Sequence, residues 1–216
     1  MLPNSKDTWV IKKQQIYEMP DCIPRQYINK HIDKSCIILG DGPSRAAYDL
    51  SDDFFTKQIS FGCNRIGADF TPTFYVLTIP ELWEKYKQFR KLESVLIYDS
   101  DTPLIPAPLN SFALHCLDWG MGPPTKGKIY HGKKTGGLML HIAYQMGFSY
   151  FFVLGIDGYN FQGNKHAYQD SYAPVEPFLR FEDIQEELYG LFVEQLKKEN
   201  KVINYAKYLE KVPKLS

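Results

Sequence analysis

The stretch Cys36-Ile-Ile-Leu-Gly-Asp-Gly-Pro-Ser-Arg45 constrains the fold of this chain more than any other. Apolar, β-prone residues run straight into a Gly-Asp-Gly turn, and Pro43 and Ser44 then open a helix. Pro43 suits a first helical position, where its missing N–H is not needed. Strand, glycine turn and helix start, in that order, are the recipe for an anion site. Gly40 and Gly42 let the backbone approach a ligand closely, and the helix offers free N–H groups and the positive end of its dipole. The third glycine of a dinucleotide fingerprint is missing, because Arg45 and two alanines follow. A β-to-α turn that needs positive φ and binds nothing would read the same way.

The rest of the chain repeats the alternation. Strands are expected at 57–63, 74–78, 94–99, 112–117, 150–155 and 201–206. Helices are expected at 43–51, 80–92, 135–146 and 181–199. Leu82, Tyr86 and Phe89 recur at helical spacing, and Gly147 stops the third helix. Tyr150-Phe-Phe-Val-Leu-Gly155 is apolar throughout, as a strand covered on both faces should be. Strands alternating with helices mean βαβ units and right-handed crossovers. The expected fold is therefore α/β and Rossmann-like: a mostly parallel twisted sheet flanked by helices in three α/β/α layers. At 216 residues the chain fits one domain, 35–216, behind residues 1–34, read as an N-terminal extension or as a pair of short strands over a sheet edge.

Composition narrows the partners. The 25 basic and 25 acidic side chains cancel, which argues against a nucleic-acid surface. No stretch approaches the roughly 18–20 apolar residues of a membrane span, and the first residues lack the apolar core of a signal peptide. The four cysteines form no C-x-x-C pair, and Cys36 and Cys63 sit inside apolar runs. That usage fits a reducing, cytoplasmic compartment.

In parallel sheets ligands bind beyond the carboxyl ends of the strands, so the turns after the strands matter. Asn64 ends the second strand, about where a dinucleotide binder carries the acid that holds its ribose. Its amide both donates and accepts, and it equally reads as a turn asparagine. Asp99-Ser100-Asp101 follows the fourth strand. Such a pair can hold magnesium or manganese, and it is also ordinary turn chemistry. The loop at 118–134 carries four glycines and four lysines, and it ends at Lys133-Lys-Thr135-Gly-Gly137 at a helix start. Lys133, Thr135, Gly136 and Gly137 thus form a second candidate anion site. Asp157 and Tyr159 follow the sixth strand, then His166 and Tyr168. Tyrosine hydroxyls can hydrogen-bond a phosphate, and His166 titrates where proton transfer is useful.

These pieces, in this order, resemble the small bacterial sialyltransferases with a Rossmann-like fold. That family shows Gly-Asn-Gly-Pro-Ser, then Cys-Asn, then Arg-x-Thr-Ser-Gly, and then a strand ending Ser-Gly-Ile-Asp-x-Tyr. This chain reads Gly40-Asp-Gly-Pro-Ser44, Cys63-Asn64, Lys133-Lys-Thr-Gly-Gly137 and Leu154-Gly-Ile-Asp-Gly-Tyr159. The same signature occurs in motility-accessory flagellin glycosyltransferases and in an archaeal-type pterin diphosphokinase. The resemblance spans roughly residues 35–206.

It implies a glycosyltransferase with a pocket for a cytidine monophosphate (CMP) sugar and an acceptor hydroxyl on a glycan or other molecule. It implies no metal and no further cofactor, and often an oligomer. By the same resemblance Asn64 would contact the nucleotide. The Gly40–Ser44 turn, with Asp41, Gly42 and Pro43, and the Thr135–Gly137 amides would hold ribose and phosphate. Tyr159 and Tyr168 would stabilise the departing phosphate, with Asp157 beside them. The departures are specific. Asp41 replaces an asparagine and is expected to bring negative charge near the phosphate. Lys133 replaces an arginine and loses bidentate geometry. The family's general-base histidine has no counterpart between Ser171 and Glu182, which leaves His166 as the candidate. Two alternatives stand beside this: a magnesium-dependent diphosphokinase or nucleoside-diphosphate-sugar transferase using Asp99 and Asp101, and a non-catalytic nucleotide-binding module.

Overall fold

Neighbouring residues of the first strand, β1 (Ser35–Leu39), are buried in different cores: Cys36 and Ile38 in one, Ile37 and Leu39 in another. Period-two alternation with apolar residues at both phases requires layers on both faces of the sheet. The computed structural model describes residues 22–42, 44–45, 48–78, 80–100, 109–114, 122–130, 135–156 and 182–205. The further strands are β2 (Ile59–Cys63), β3 (Phe74–Val76), β4 (Val95–Asp99), β5 (Ser111–Leu114), β6 (Tyr150–Leu154) and β7 (Val202–Tyr205). They form one sheet, every pair parallel, in the order β5-β4-β3-β2-β1-β6-β7. All seven expected strands are present, and the α/β expectation holds.

The helices are α1 (Asp53–Thr56), α2 (Ile66–Asp69), α3 (Pro80–Tyr86), α4 (Thr135–Gln145) and α5 (Glu182–Lys198). Phe55 of α1 and Ile66 of α2 pack with Ile37, Leu39, Phe152 and Leu154 on one face. Leu138 and Ile142 of α4 and Phe192 and Leu196 of α5 pack with Cys36, Ile38, Phe151 and Val153 on the other. The chain steps one way from β1 to β4 over the first face, with β5 next in the sheet, then returns to β6 beside β1, with α4 and α5 on the second face. A right-handed crossover rule demands that change of face when the direction reverses.

Two expectations are corrected in detail. The helix expected at 43–51 is not formed over its described residues: Ser44 and Arg45 make a 3-10 turn. The first α-turn starts later, where the Asp52 side chain caps the Phe54 N–H. Of the two readings of 1–34, the short strands are not formed over the described residues 22–34, which make a 3-10 turn at Arg25–Tyr27. They pack into the core, with Tyr27 stacked on Phe112 and His31 on Phe148.

Helix α4 is buried from Gly137 to Gln145, so it is apolar on all sides rather than along one stripe. Two polar side chains go in with it. Gln145 is fully paired: its Nε2 donates to the carbonyls of Thr125 and Lys128, each at 2.7 Å, and its Oε1 accepts the Gly127 N–H at 2.9 Å. This clamps residues 125–128 of the long glycine-rich loop onto the helix. His141 has no hydrogen-bond partner at either ring nitrogen and packs between Tyr130 and Phe192. Burial pushes its pKa down to about 3 from an ordinary 6.5.

A histidine kept neutral in the fold contributes stability above pH 6.5 that is lost as pH falls below it, because only the unfolded chain takes up the proton. Each unit of pH below 6.5 should therefore cost up to about 1.4 kcal/mol through His141. Urea unfolding midpoints measured between pH 7 and 5 should fall for the natural chain and fall less steeply for His141→Leu. Equal slopes for the two would show that His141 is not the acid-sensitive group.

Candidate functional site

The crevice outside the carboxyl ends of β1 and β6 is the topological switch point of this sheet. The chain leaves these neighbouring strands toward opposite faces, and ligands of doubly wound folds bind at such a gap. The two strand ends are locked together by backbone. The Gly40 N–H donates to the Leu154 carbonyl at 2.8 Å, and the Gly42 N–H donates to the Gly155 carbonyl at 2.6 Å. The Gly155 N–H donates to the Ser44 hydroxyl at 2.9 Å, in a buried position. A Cβ on Gly40 would run into the Gly155 carbonyl, and one on Gly155 into the Gly40 carbonyl. Gly155 also has φ +71°, in the left-handed region.

Ile156 follows and wedges between two glycines. A Cβ at Gly40 would lie 2.9 Å from its Cγ1, and a Cβ at Gly136 would lie 2.9 Å from its Cδ1 and Cγ2. This contact sets the N-terminus of α4, with Thr135, Gly136 and Gly137, beside the turn after β1. The first N–H groups of an α-helix have no intrahelical partner, and α4 is long enough to carry a useful dipole.

The β2 end completes the rim. Asn64 has φ +50°, which asparagine tolerates better than most residues. Its carbonyl accepts the buried Tyr75 hydroxyl from β3. Its side-chain Oδ1 is buried without a hydrogen-bond partner. Asp41 does not turn toward α4: its Oδ2 accepts the Arg65 N–H at 3.3 Å. Arg45 pairs with Asp69 of α2 at 2.8 Å and pins the start of the 3-10 turn to the first face.

The structure thus brings together Gly40, Asp41, Gly42, Ser44, Asn64, Thr135, Gly136 and Gly137 of the residues expected at the site. Pro43, Lys133, Asp157, Tyr159, His166 and Tyr168 lie outside the described residues. Asp99 is buried at the carboxyl end of β4, and Asp101 lies outside the described residues. No group of three or more His, Cys, Asp or Glu side chains arranged to hold a metal occurs among the described residues. Nor is any described helix long and apolar enough to cross a membrane. A separate groove of about 400 Å³ beside α2, lined by Leu50, Ser51, Thr56, Thr71 and Lys91, includes none of the crevice residues. Sequence reasoning missed the Gly40–Gly155 lock, the Ile156 wedge and the Arg45–Asp69 pair. The one available signal was Gly155, a glycine directly after an apolar strand.

The topology defines a doubly wound α/β protein. No protein-family model matches the chain, and no curated protein matches it. Among solved structures it is similar to the sialyltransferase CstII from Campylobacter jejuni, determined in complex with a substrate analogue, cytidine-5'-monophosphate. The identity is 12%, over 81% of this chain and 80% of that one, with a TM-score of 0.48.

The lock has a measurable consequence. Gly155→Ala should destabilise the fold by about 2 kcal/mol or more, from strain at positive φ and the clash with Gly40. Ser44→Ala, which leaves the buried Gly155 N–H without its acceptor, should cost about 1–3 kcal/mol. Chemical denaturation of both variants checks this, and losses below about 0.5 kcal/mol, the ordinary range for surface substitutions, would contradict the lock.

Proposed function

We propose that this chain is a metal-independent glycosyltransferase that takes an activated sugar, a CMP-sialic-acid-like donor, and passes it to an acceptor hydroxyl. The observation that carries the reading is the division of the crevice at the β1–β6 switch point. One side, at the N-terminus of α4, presents hydrogen-bond donors. The other side, at Asp41 and Asn64, presents acceptors. A nucleotide ester has the matching polarity, with an anionic phosphate at one end and hydroxyl and amino donors at the other. The order of motifs from Gly40 to Tyr159 supports the same choice.

In this reading Thr135, Gly136 and Gly137 hold the phosphate, with Lys133 supplying charge. The acceptor hydroxyl attacks the anomeric carbon as the bond from that carbon to the phosphate oxygen breaks. Tyr159 and Tyr168 donate hydrogen bonds to that oxygen, and CMP departs. His166 takes the proton from the attacking hydroxyl. The leaving group is a monophosphate, whose charge two hydroxyls and a helix terminus can stabilise without a divalent ion.

Thermal unfolding should rise with CMP, in the absence of magnesium, more than with uridine or adenine nucleotides. Tyr168→Phe and His166→Ala should each lower kcat about 10²–10⁴-fold. The KM for the donor should stay nearly unchanged, as it should if these groups act only in the transition state. A chelator should leave transfer intact. Activity lost to the chelator and restored by magnesium would indicate the diphosphokinase or diphosphate-sugar class. Stabilisation by no nucleotide at all would remove the reading.

A further inference from the structure

In an all-parallel sheet every strand starts at the same end, which here is the end opposite the crevice. All five large apolar side chains that are exposed among the described residues lie at this end. Ile32 precedes β1, Leu92 precedes β4 and Leu109 precedes β5. Tyr150 opens β6 and Val202 opens β7, and these two are cross-strand neighbours. Single exposed apolar residues are ordinary on a protein surface. Leu92 and Leu109 differ, because they are 75% and 84% exposed and stand on two turns bonded to each other. Arg90 Nη2 donates to the Leu109 carbonyl at 2.6 Å and to the Asn110 carbonyl at 3.1 Å. Asn110 Nδ2 donates back to the carbonyls of Leu92 and Glu93, each at 3.4 Å. The backbone of both turns is thereby held, and the leucines protrude as a preformed pair.

The charges at this end favour an anionic partner. Lys91 is exposed beside Leu92, and Lys34 is exposed beside the start of β1. Lys197 and Lys198, also exposed, close the last turn of α5 just ahead of β7. Two of the nearby acids are neutralised, Asp53 by Lys57 and Glu199 by Lys201. Lysine therefore outnumbers the acids that remain, Asp33 and Glu93.

A second copy would bring the same lysines against this end and be repelled. The apolar contacts of a protein partner cluster near the centre of its interface. Here the leucines stand toward the β5 edge and Tyr150 and Val202 toward the β7 edge, roughly 25 Å apart at ordinary strand spacing. A bilayer interface is continuous and fluid. It accepts separate apolar tips and attracts lysines to its anionic headgroups.

We propose that the amino-terminal end of the sheet docks on an anionic lipid surface, with Leu92 and Leu109 entering the headgroup region and Lys91, Lys34, Lys197 and Lys198 facing the lipid charges. Attachment is peripheral and turns the crevice away from the lipid. It does not depend on the nucleotide reading.

Co-sedimentation with vesicles tests this on the natural chain. Vesicles of phosphatidylglycerol and phosphatidylcholine in equal parts should bind it. Vesicles of phosphatidylcholine alone should bind it about tenfold or more weakly, and high salt should weaken binding to the mixed vesicles. Leu92→Ser combined with Leu109→Ser should lower partitioning about tenfold or more, because two leucines lose their transfer from water. Lys91→Glu should lower it about fivefold or more. Unfolding midpoints of both variants should match the natural chain, since the altered side chains are exposed. A natural chain that stays in solution with the mixed vesicles overturns the proposal, and so does a folded leucine variant that binds them undiminished. A natural chain that is a dimer, with a leucine variant that is a monomer, would assign the pair to a second copy and overturn the lipid surface.

Discussion

The contact between the backbones of Gly40 and Gly155 is the constraint on which the rest of the crevice depends. Two strand ends approach so closely that neither residue can carry a side chain. The approach lets Gly42 reach the Gly155 carbonyl and Ser44 reach its N–H, so the turn after β1 is held by β6 rather than by its own helix. It also brings Ile156 over Gly40, and Ile156 in turn seats Gly136 at the start of α4. A larger residue at any of the three glycines would push the helix terminus away from the strand ends. The glycines that read in sequence as a phosphate cradle thus act first as a packing device, and the site is assembled around them.

That arrangement separates opposite kinds of chemistry across one strand. The α4 terminus lies on the β6 side of β1, and Asp41 and Asn64 lie on the β2 side. A carboxylate beside a phosphate-binding turn is a conflict when the turn is pictured as a line of sequence. In the folded chain it is none, because Asp41 leaves the turn laterally and finds the Arg65 N–H. The same bond, from a backbone N–H to a side-chain carboxylate, ties the first two βα turns together.

How much of this was legible in the sequence varied with the range of the interaction. All seven strands were readable, because runs such as Cys36–Leu39 and Phe151–Leu154 are apolar at both phases and bounded by glycine or polar turns. α5 was readable from periodicity, α4 from its Gly147 stop, and the helix expected at 80–92 is present as α3 followed by a 3-10 turn at Lys87–Phe89. α1 and α2 were not readable: Pro43 suggested an immediate helix, while the chain instead makes a 3-10 turn held by Arg45 on Asp69 and delays its α-turn to Asp52. The Gly40–Gly155 lock joins residues more than a hundred positions apart, and no local pattern encodes it. Asp41 was visible as an anomaly in its motif, yet its partner at Arg65 depends on how β1 and β2 sit side by side. The tyrosines and histidine expected to carry the chemistry fall within 157–181, outside the described residues.

Among the described residues, His31, His141 and Asn64 keep buried polar atoms without hydrogen-bond partners, and the three are not equivalent. His31 and His141 are enclosed by aromatic rings, Phe148 for one and Tyr130 and Phe192 for the other. A neutral imidazole packs there largely as an apolar ring, and burial lowers the pKa of both, with Lys34 and Lys30 adding to it at His31. Asn64 has no such compensation. An amide oxygen stays strongly polar at every pH, and leaving it buried and unmade costs about 1–3 kcal/mol. It sits at the end of β2, in a left-handed conformation that itself costs energy, next to Arg65, whose N–H donates to the Asp41 carboxylate. Two unfavourable features thus meet at one residue, in the turn after β2. The cost at His141 therefore varies with pH, and the cost at Asn64 does not.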